Sequence, residues 1–419
     1  MFEIKYSPKL ATQDFTPEVT QTFTAFKETL NDQRYGFFSF TQNLQWEQNL
    51  RECEQIFNSF QSKKSFVQVG MGGSILGAMM LIKALPPKNN RQFHFLDNID
   101  PDLVAQILKN ICLSETLFFI VSKSGNTVET LALFSILTEF LTQNGFDQTQ
   151  WKNFFVFCSD NEQNELMSLG KKYAISRVSL PANIGGRFSI LTSVGILPAL
   201  FAGISVPALF EGCEKIKPLI FEENPKENSL NYLASTLFLL KKQENIQQTA
   251  LVPYSSLLSS FGDWFVQLWA ESLGKEKNKK GEIVFTGLTP LVSCGSAYQH
   301  SQLQLFLGGP KDKIPLFIEI QKRPDQFPMN MTLSTPRTDW LGQTSLHNLL
   351  NKELASTLHS FDVSQRPYIV ISIPHLNECS LGGLILFFEC LTVLMGHYLD
   401  IDPFDQPCVE IGKKYLFSC

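Results

Sequence analysis

Thr116-Leu117-Phe118-Phe119-Ile120-Val121 runs without a break into Ser122-Lys123-Ser124-Gly125-Asn126-Thr127, after which apolar Val128, Leu131, Phe134 and Ile136 mark a helix. A short, uniformly apolar run predicts a strand buried on both faces, as in a parallel sheet. The loop that follows aims backbone N–H groups, the hydroxyls of Ser122, Ser124 and Thr127, and a helix dipole at one point, which suits a phosphate. Asn126 and Glu129 have capping-box spacing. A polar turn that only caps its helix would have the same composition. The loop lacks G-K-[ST], so nucleoside triphosphate chemistry is not implied.

The same pattern recurs on either side. Phe66 to Val69 is a short apolar run before a glycine turn, Phe93 to Leu96 ends at Asp97, Phe154 to Phe157 is a further run and Tyr173 to Val178 a weaker one. It restarts later, at Thr249 to Val252, Ile283 to Phe285, Leu316 to Ile320 and Tyr368 to Ile373. Helical periodicity fills most of the gaps, and strands alternating with helices predict parallel β-α-β units. The expected fold class is α/β, with two doubly wound parallel sheets and peripheral helices. The expected domains are a helical region over 1–60, a first α/β domain over 61–215 carrying the phosphate loop, and a second over 216–419 with a C-terminal helical segment. The polar stretch Glu222 to Asn228 lies near the junction. A chain of 419 residues, 44% hydrophobic, is long enough for two such cores.

The net charge of −5 offers no basic field for nucleic acid. An anion must therefore be held by local amides and a few placed cations. Nine cysteines run from Cys53 to Cys419 with no C-x-x-C pair, which suits a reducing cytosol. Leu381 to Leu399 is apolar and long enough to cross a membrane, but it contains Glu389 and His397. A buried core helix is the better reading. No signal peptide is visible around Glu3, Lys5 and Lys9. The expectation is a cytoplasmic protein with no membrane and no nucleic-acid partner.

Gly70-Met71-Gly72-Gly73-Ser74-Ile75-Leu76-Gly77 follows the first apolar run. A dinucleotide fingerprint would need glycine where Ile75 stands. Gly72 and Gly73 instead let the backbone approach a ligand closely, with Ser74 offering a hydroxyl at a helix start.

Five segments in order now carry a resemblance: GMGGSILG at 70–77, SKSGNTVET at 122–130, NIGGRFSILTSVGILPA at 183–199, QLWAESLGK at 267–275 and FDQPCVEIGKK at 404–414. GSAYQHSQLQL at 295–305 is a looser sixth. The set resembles the glucose-6-phosphate isomerase family. The resemblance implies two flavodoxin-like sugar-isomerase domains and interconversion of glucose 6-phosphate and fructose 6-phosphate without metal or organic cofactor. It also implies that Ser74, Ser122, Ser124 and Thr127 hold the phosphate, beside Gly73 and the backbone of Lys123.

Aldose–ketose isomerisation needs ring opening, a base moving a proton between C2 and C1, stabilisation of an enediolate and exclusion of water. Glu271 is the candidate base. It lies one helical turn after Gln267, so the two share a face. Arg187 follows Gly185-Gly186, where an arginine fork and the Gly186 backbone can reach a sugar oxygen. By the resemblance Arg187 stabilises the enediolate, His300 opens the ring from the partner subunit of a homodimer, and Lys413 stands near the ring oxygen. Taken alone, Glu271 reads as a solvated helix glutamate, His300 as structural and Arg187 as ion-paired in a surface turn. A non-catalytic sugar-phosphate-binding regulator would need the phosphate loop but not these four together. Cys408, Ala297-Tyr298 and Trp269-Ala270 depart from the family pattern. Beyond Lys275, the run to Lys280 reads as a solvated loop.

Overall fold

The computed structural model describes residues 2–10, 17–42, 45–160, 163–324, 327–330, 335–409, 411–412 and 415. The chain forms two compact units, Lys27–Glu214 and Met1–Phe26 with Lys215–Cys419. The first strand, β1 (Glu3–Tyr6), therefore belongs with the later half of the chain.

The unit Lys27–Glu214 is built on β2 (Ser65–Val69), β3 (Gln92–Leu96), β4 (Thr116–Val121), β5 (Phe155–Ser159) and β6 (Ser176–Ser179). They pair in the order β3-β2-β4-β5-β6, all parallel. Every residue of β2, β4 and β5 is buried, as the apolar runs predict for strands covered on both faces. The helix Val128–Gln143 lies on this sheet through Phe134, whose ring meets those of Phe155 and Phe157 edge-on at 5.0 and 5.1 Å. Ile136, read with the apolar face, is instead 53% exposed. From β2 the chain crosses one way to β3 and then returns past β2 to β4. The C-terminal ends of β2 and β4 are thus where the winding reverses, and an open α/β sheet takes its ligands in the crevice at that point.

The second unit holds β7 (Gln248–Pro253), β8 (Lys275–Lys277), β9 (Ile283–Thr286), β10 (Thr289–Val292), β11 (Lys313–Ile320) and β12 (Ile369–Ile373). Its sheet runs β1-β12-β11-β7-β10, parallel except that β1 lies antiparallel against β12. Three findings differ from the sequence reading. Residues 1–60 carry a strand as well as helices, because Glu3–Tyr6 finds its partner at the far end of the chain. Ile283 to Phe285 does not join the main sheet but pairs with Lys275–Lys277, so part of the expected lysine loop is a strand. The sheet edge is taken by Thr289–Val292, whose Pro290 hid it and suits an edge position.

The helix Glu378–Tyr398 is long and apolar enough to cross a membrane, yet 94% of its most apolar 18-residue window is buried inside the protein. Glu389, in its middle, is 1% exposed, and its Oε1 has no hydrogen-bond partner among the described residues. Burial pushes its carboxyl well above the usual glutamate range. Folding therefore favours the protonated form. Its contribution to stability is fully present below the ordinary glutamate pKa of about 4.3 and is lost as pH rises toward the raised folded-state value. Glu389→Leu is expected to be more stable than the parent at pH 7, with the difference shrinking as pH falls toward 4. Thermal melts across that range check this, and a pH-independent difference would refute it.

Candidate active site

The two loops at the reversal point lie side by side. Gly70 follows β2, and a methyl on it would stand 2.8 Å from the Ser74 Cβ and 3.0 Å from the carbonyl oxygen of Val121, the last residue of β4. Gly72 takes φ +52°, a left-handed conformation that a side chain would strain. Beneath the turn, the fully buried Gln68 donates from Nε2 to the Ser74 carbonyl at 2.9 Å and to the Val194 carbonyl at 3.3 Å. Ser74 is thereby held at the start of the helix Leu76–Ala84.

The Gly185–Arg187 turn is pressed against the same glycine turn. A Cβ on Gly73 would lie 2.2 Å from the Gly186 carbonyl carbon and 2.6 Å from the Arg187 nitrogen. Ser189 donates to the Gly186 carbonyl at 2.7 Å and to the Gly73 carbonyl at 3.3 Å, lacing the two turns together. Arg187 is only 4% exposed, with its guanidinium 5.7 Å from the Phe188 ring centre. It is buried, not the surface residue of an exposed turn. The structure thus gathers Gly73, Ser74, Gly186 and Arg187 from segments more than a hundred residues apart.

In the Ser122–Thr127 loop the two outer hydroxyls meet, Ser122 Oγ to Thr127 Oγ1 at 2.9 Å. Ser122 is buried and Ser124 exposed. The capping box does not form. Thr127 is the N-cap of the helix and makes no side-chain cap bond, while Asn126 Oδ1 accepts from the Glu165 N–H at 3.1 Å. The Asn126 side chain faces a neighbouring segment that local spacing cannot reveal. Lys123 is half-buried, and burial lowers its ammonium pKa, partly offset by Asp160.

In the other unit, the helix Ser259–Leu273 carries the Gln267 and Glu271 pair. Gln267 Nε2 donates to Glu271 Oε2 at 3.2 Å, and Gln267 Oε1 is buried with no partner among the described residues. The departure Trp269-Ala270 is absorbed by packing: Trp269 is fully buried and Ala270 exposed. Lys275, 8% exposed, donates to the Glu271 carbonyl at 2.9 Å and pairs with Asp405 Oδ1 at 3.2 Å. It ties the end of the helix to the Phe404–Gln406 segment. Lys275 went unassigned in the sequence, although the Q-x-x-x-E-S-x-G-K spacing already contains it.

His300 ends the short helical turn Ala297–His300 and is exposed. The turn is anchored through its neighbours. Tyr298 is 2% exposed and packs with Tyr254, Phe306 and Phe317, so that departure from the family pattern fills the core. Gln299 Nε2 lies 2.7 Å from Thr357 Oγ1, 3.0 Å from the Tyr254 hydroxyl and 3.1 Å from the Glu353 carbonyl. Cys408 is exposed in the turn Pro407–Val409. Lys413 lies outside the described residues.

A wholly parallel α/β sheet with hydroxyl-bearing loops at its reversal point, and a second sheet parallel but for β1 whose unit carries a glutamine–glutamate pair on a helix, define a protein of the doubly wound α/β class. The comparisons narrow the class. A family model described as phosphoglucose isomerase matches residues 41–417, and the chain belongs to that family. It is 33% identical to the glucose-6-phosphate isomerase of Carboxydothermus hydrogenoformans, over 96% of this chain and 89% of that one. It is likewise 33% identical to the glucose-6-phosphate isomerase of Campylobacter jejuni subsp. jejuni, over 96% and 97% of the two chains. Among solved structures, a hypothetical protein from Thermus thermophilus superposes with a TM-score of 0.83 at 26% identity, covering 99% of each chain.

Proposed function

We propose that this chain interconverts glucose 6-phosphate and fructose 6-phosphate through a cis-enediolate, as a step of glycolysis and gluconeogenesis. The observation that carries this is the match to the phosphoglucose isomerase family over residues 41–417, nearly the whole chain. The phosphate is taken by the hydroxyls of Ser74, Ser122, Ser124 and Thr127, with backbone from Gly73 and Lys123. The adjacency of the Gly70–Ser74 turn and the β4 loop supports that grouping. Glu271 removes the proton from C2 and returns it to C1. Gln267 shares a hydrogen bond with Glu271, and its buried Oε1, without a partner among the described residues, suits a sugar hydroxyl, since leaving such an acceptor unmatched is costly.

Arg187 neutralises charge growing on the enediolate oxygens, a role for which its burial beside Gly186 is favourable, because charge interactions strengthen away from water. His300 and Lys413 move the proton from the C1 hydroxyl to the ring oxygen as the hexose ring opens. The exposure of His300 on an anchored turn suits its reaching a second copy of the chain, so the working form is a homodimer. The enzyme is cytoplasmic and needs no metal or organic cofactor.

A coupled assay of fructose 6-phosphate conversion tests the function, with EDTA and with mannose 6-phosphate as further arms. The expected result is turnover of fructose 6-phosphate at a rate unchanged by EDTA. Absence of turnover with either sugar would overturn the isomerase reading, and loss of activity on chelation would overturn the cofactor-free mechanism.

A further inference from the structure

We propose that Asn164 and Ser159 are positioning residues for the phosphate loop, holding its carbonyls away from the anion so that its amides and hydroxyls face it. The proposal rests on reading Ser122–Thr127 as the phosphate loop. A carbonyl oxygen turned toward a phosphate repels it, so a loop that binds an anion needs partners for its carbonyls on the opposite side. Three of these carbonyls are occupied. That of Ser122 is closed within the loop by the Gly125 N–H at 3.0 Å, which takes this one amide out of play, while the other two carbonyls find partners outside the loop. That of Lys123 accepts from Ser159 Oγ at 2.9 Å and from the Asp160 N–H at 3.1 Å. That of Gly125 accepts from the Leu166 N–H at 3.0 Å.

Asn164 organises this support. Its Nδ2 donates to Ser159 Oγ at 2.7 Å, which leaves the serine's own hydrogen for the Lys123 carbonyl. Its Oδ1 accepts from the Met167 N–H at 3.0 Å and caps the helix Glu165–Lys172. Asn164 and Ser159 are each 6% exposed, so both hydrogen bonds are largely shielded from bulk water. The fit against the loop is tight. Gly125 has φ +66°, and a Cβ there would stand 1.9 Å from Asn164 Oδ1. An asparagine is needed because one short side chain must both accept for the helix cap and donate to Ser159. Aspartate would accept from both, drawing the Ser159 hydrogen away from Lys123.

The test compares Ser159→Ala, Ser159→Thr and Asn164→Asp with the parent enzyme, reading kcat and KM for fructose 6-phosphate and the calorimetric Kd of inorganic phosphate. Ser159→Ala and Asn164→Asp are expected to raise KM and the phosphate Kd together by about tenfold, with kcat within about twofold. Ser159→Thr, which keeps the hydroxyl, should restore most of the loss. Parent-like KM and phosphate affinity in Ser159→Ala would overturn the inference while leaving the phosphate-loop reading standing. A fall in kcat alone would also overturn it. A parent enzyme that turns over sugar but binds no phosphate would remove the phosphate-loop reading and this inference with it.

Discussion

Glu271→Gln is expected to slow isomerisation of fructose 6-phosphate by about a thousandfold while phosphate affinity stays at the parent value, the scale on which a positioned general base accelerates proton transfer. The substitution is isosteric and removes only the capacity to take a proton. The glutamine oxygen can still accept from Gln267 Nε2, now at 3.2 Å from the carboxylate. Lys275 bonds to the backbone carbonyl of Glu271, not to its side chain, so the tie to Asp405 survives. The proposed phosphate ligands lie in the loops of the unit Lys27–Glu214, whereas Glu271 belongs to the later unit. The measurement is kcat by coupled assay beside the calorimetric Kd of inorganic phosphate. Undiminished turnover would remove Glu271 as the base; loss of both quantities would show a structural role.

The second large effect is expected at Gly73. In Gly73→Ala the new methyl would fall 2.2 to 2.6 Å from the backbone of Gly186 and Arg187, which cannot swing aside as the end of a side chain could. Either the glycine turn or the Gly185–Arg187 turn must retreat. Ser189, which bonds both carbonyls, would lose at least one of them. Overpacking of this kind costs about 1–3 kcal/mol of stability. The larger consequence is for catalysis, since a displacement of about 1 Å in a positioning group costs on the order of a hundredfold in rate. The expected result is a folded protein with a modestly lower Tm and a kcat/KM reduced by about a hundredfold. A variant with parent-like kcat/KM would show that the contact between these turns does not set the geometry of the site.

Much of the local structure of the candidate site was legible because its parts are local. The Thr116–Val121 strand, its polar loop and the helix from Val128 follow from burial on both faces of a parallel strand and from helical periodicity, and each falls where the pattern put it. The Gln267–Glu271 spacing alone places both side chains on one helix face, and the two are bonded. Other readings failed for a shared reason. The Asn126–Glu129 capping box was plausible by spacing, but a backbone N–H 39 residues further on takes the Asn126 oxygen. Ile283 to Phe285 has strand composition, yet composition does not say whether the partner is the main sheet or Lys275–Lys277. Asn164 carries no motif at all, and its importance appears only once Gly125 is seen against it.

By itself the sequence determined the α/β alternation, the polar Ser122–Thr127 loop with its following helix, the shared face of Gln267 and Glu271, and the family. These rest on backbone sterics, on burial of apolar side chains and on motif order, all of which act over a few residues or are read along the chain. Only the tertiary structure decided that Glu3–Tyr6 closes the sheet of the later unit, that Gly73 meets Gly186 and Arg187, and that Ser159, Asn164 and Leu166 support the Ser122–Thr127 loop. Those contacts join residues distant in sequence. Which donor meets which acceptor there depends on strand order and register, and a backbone N–H or carbonyl is present at nearly every position and carries no mark of its eventual partner.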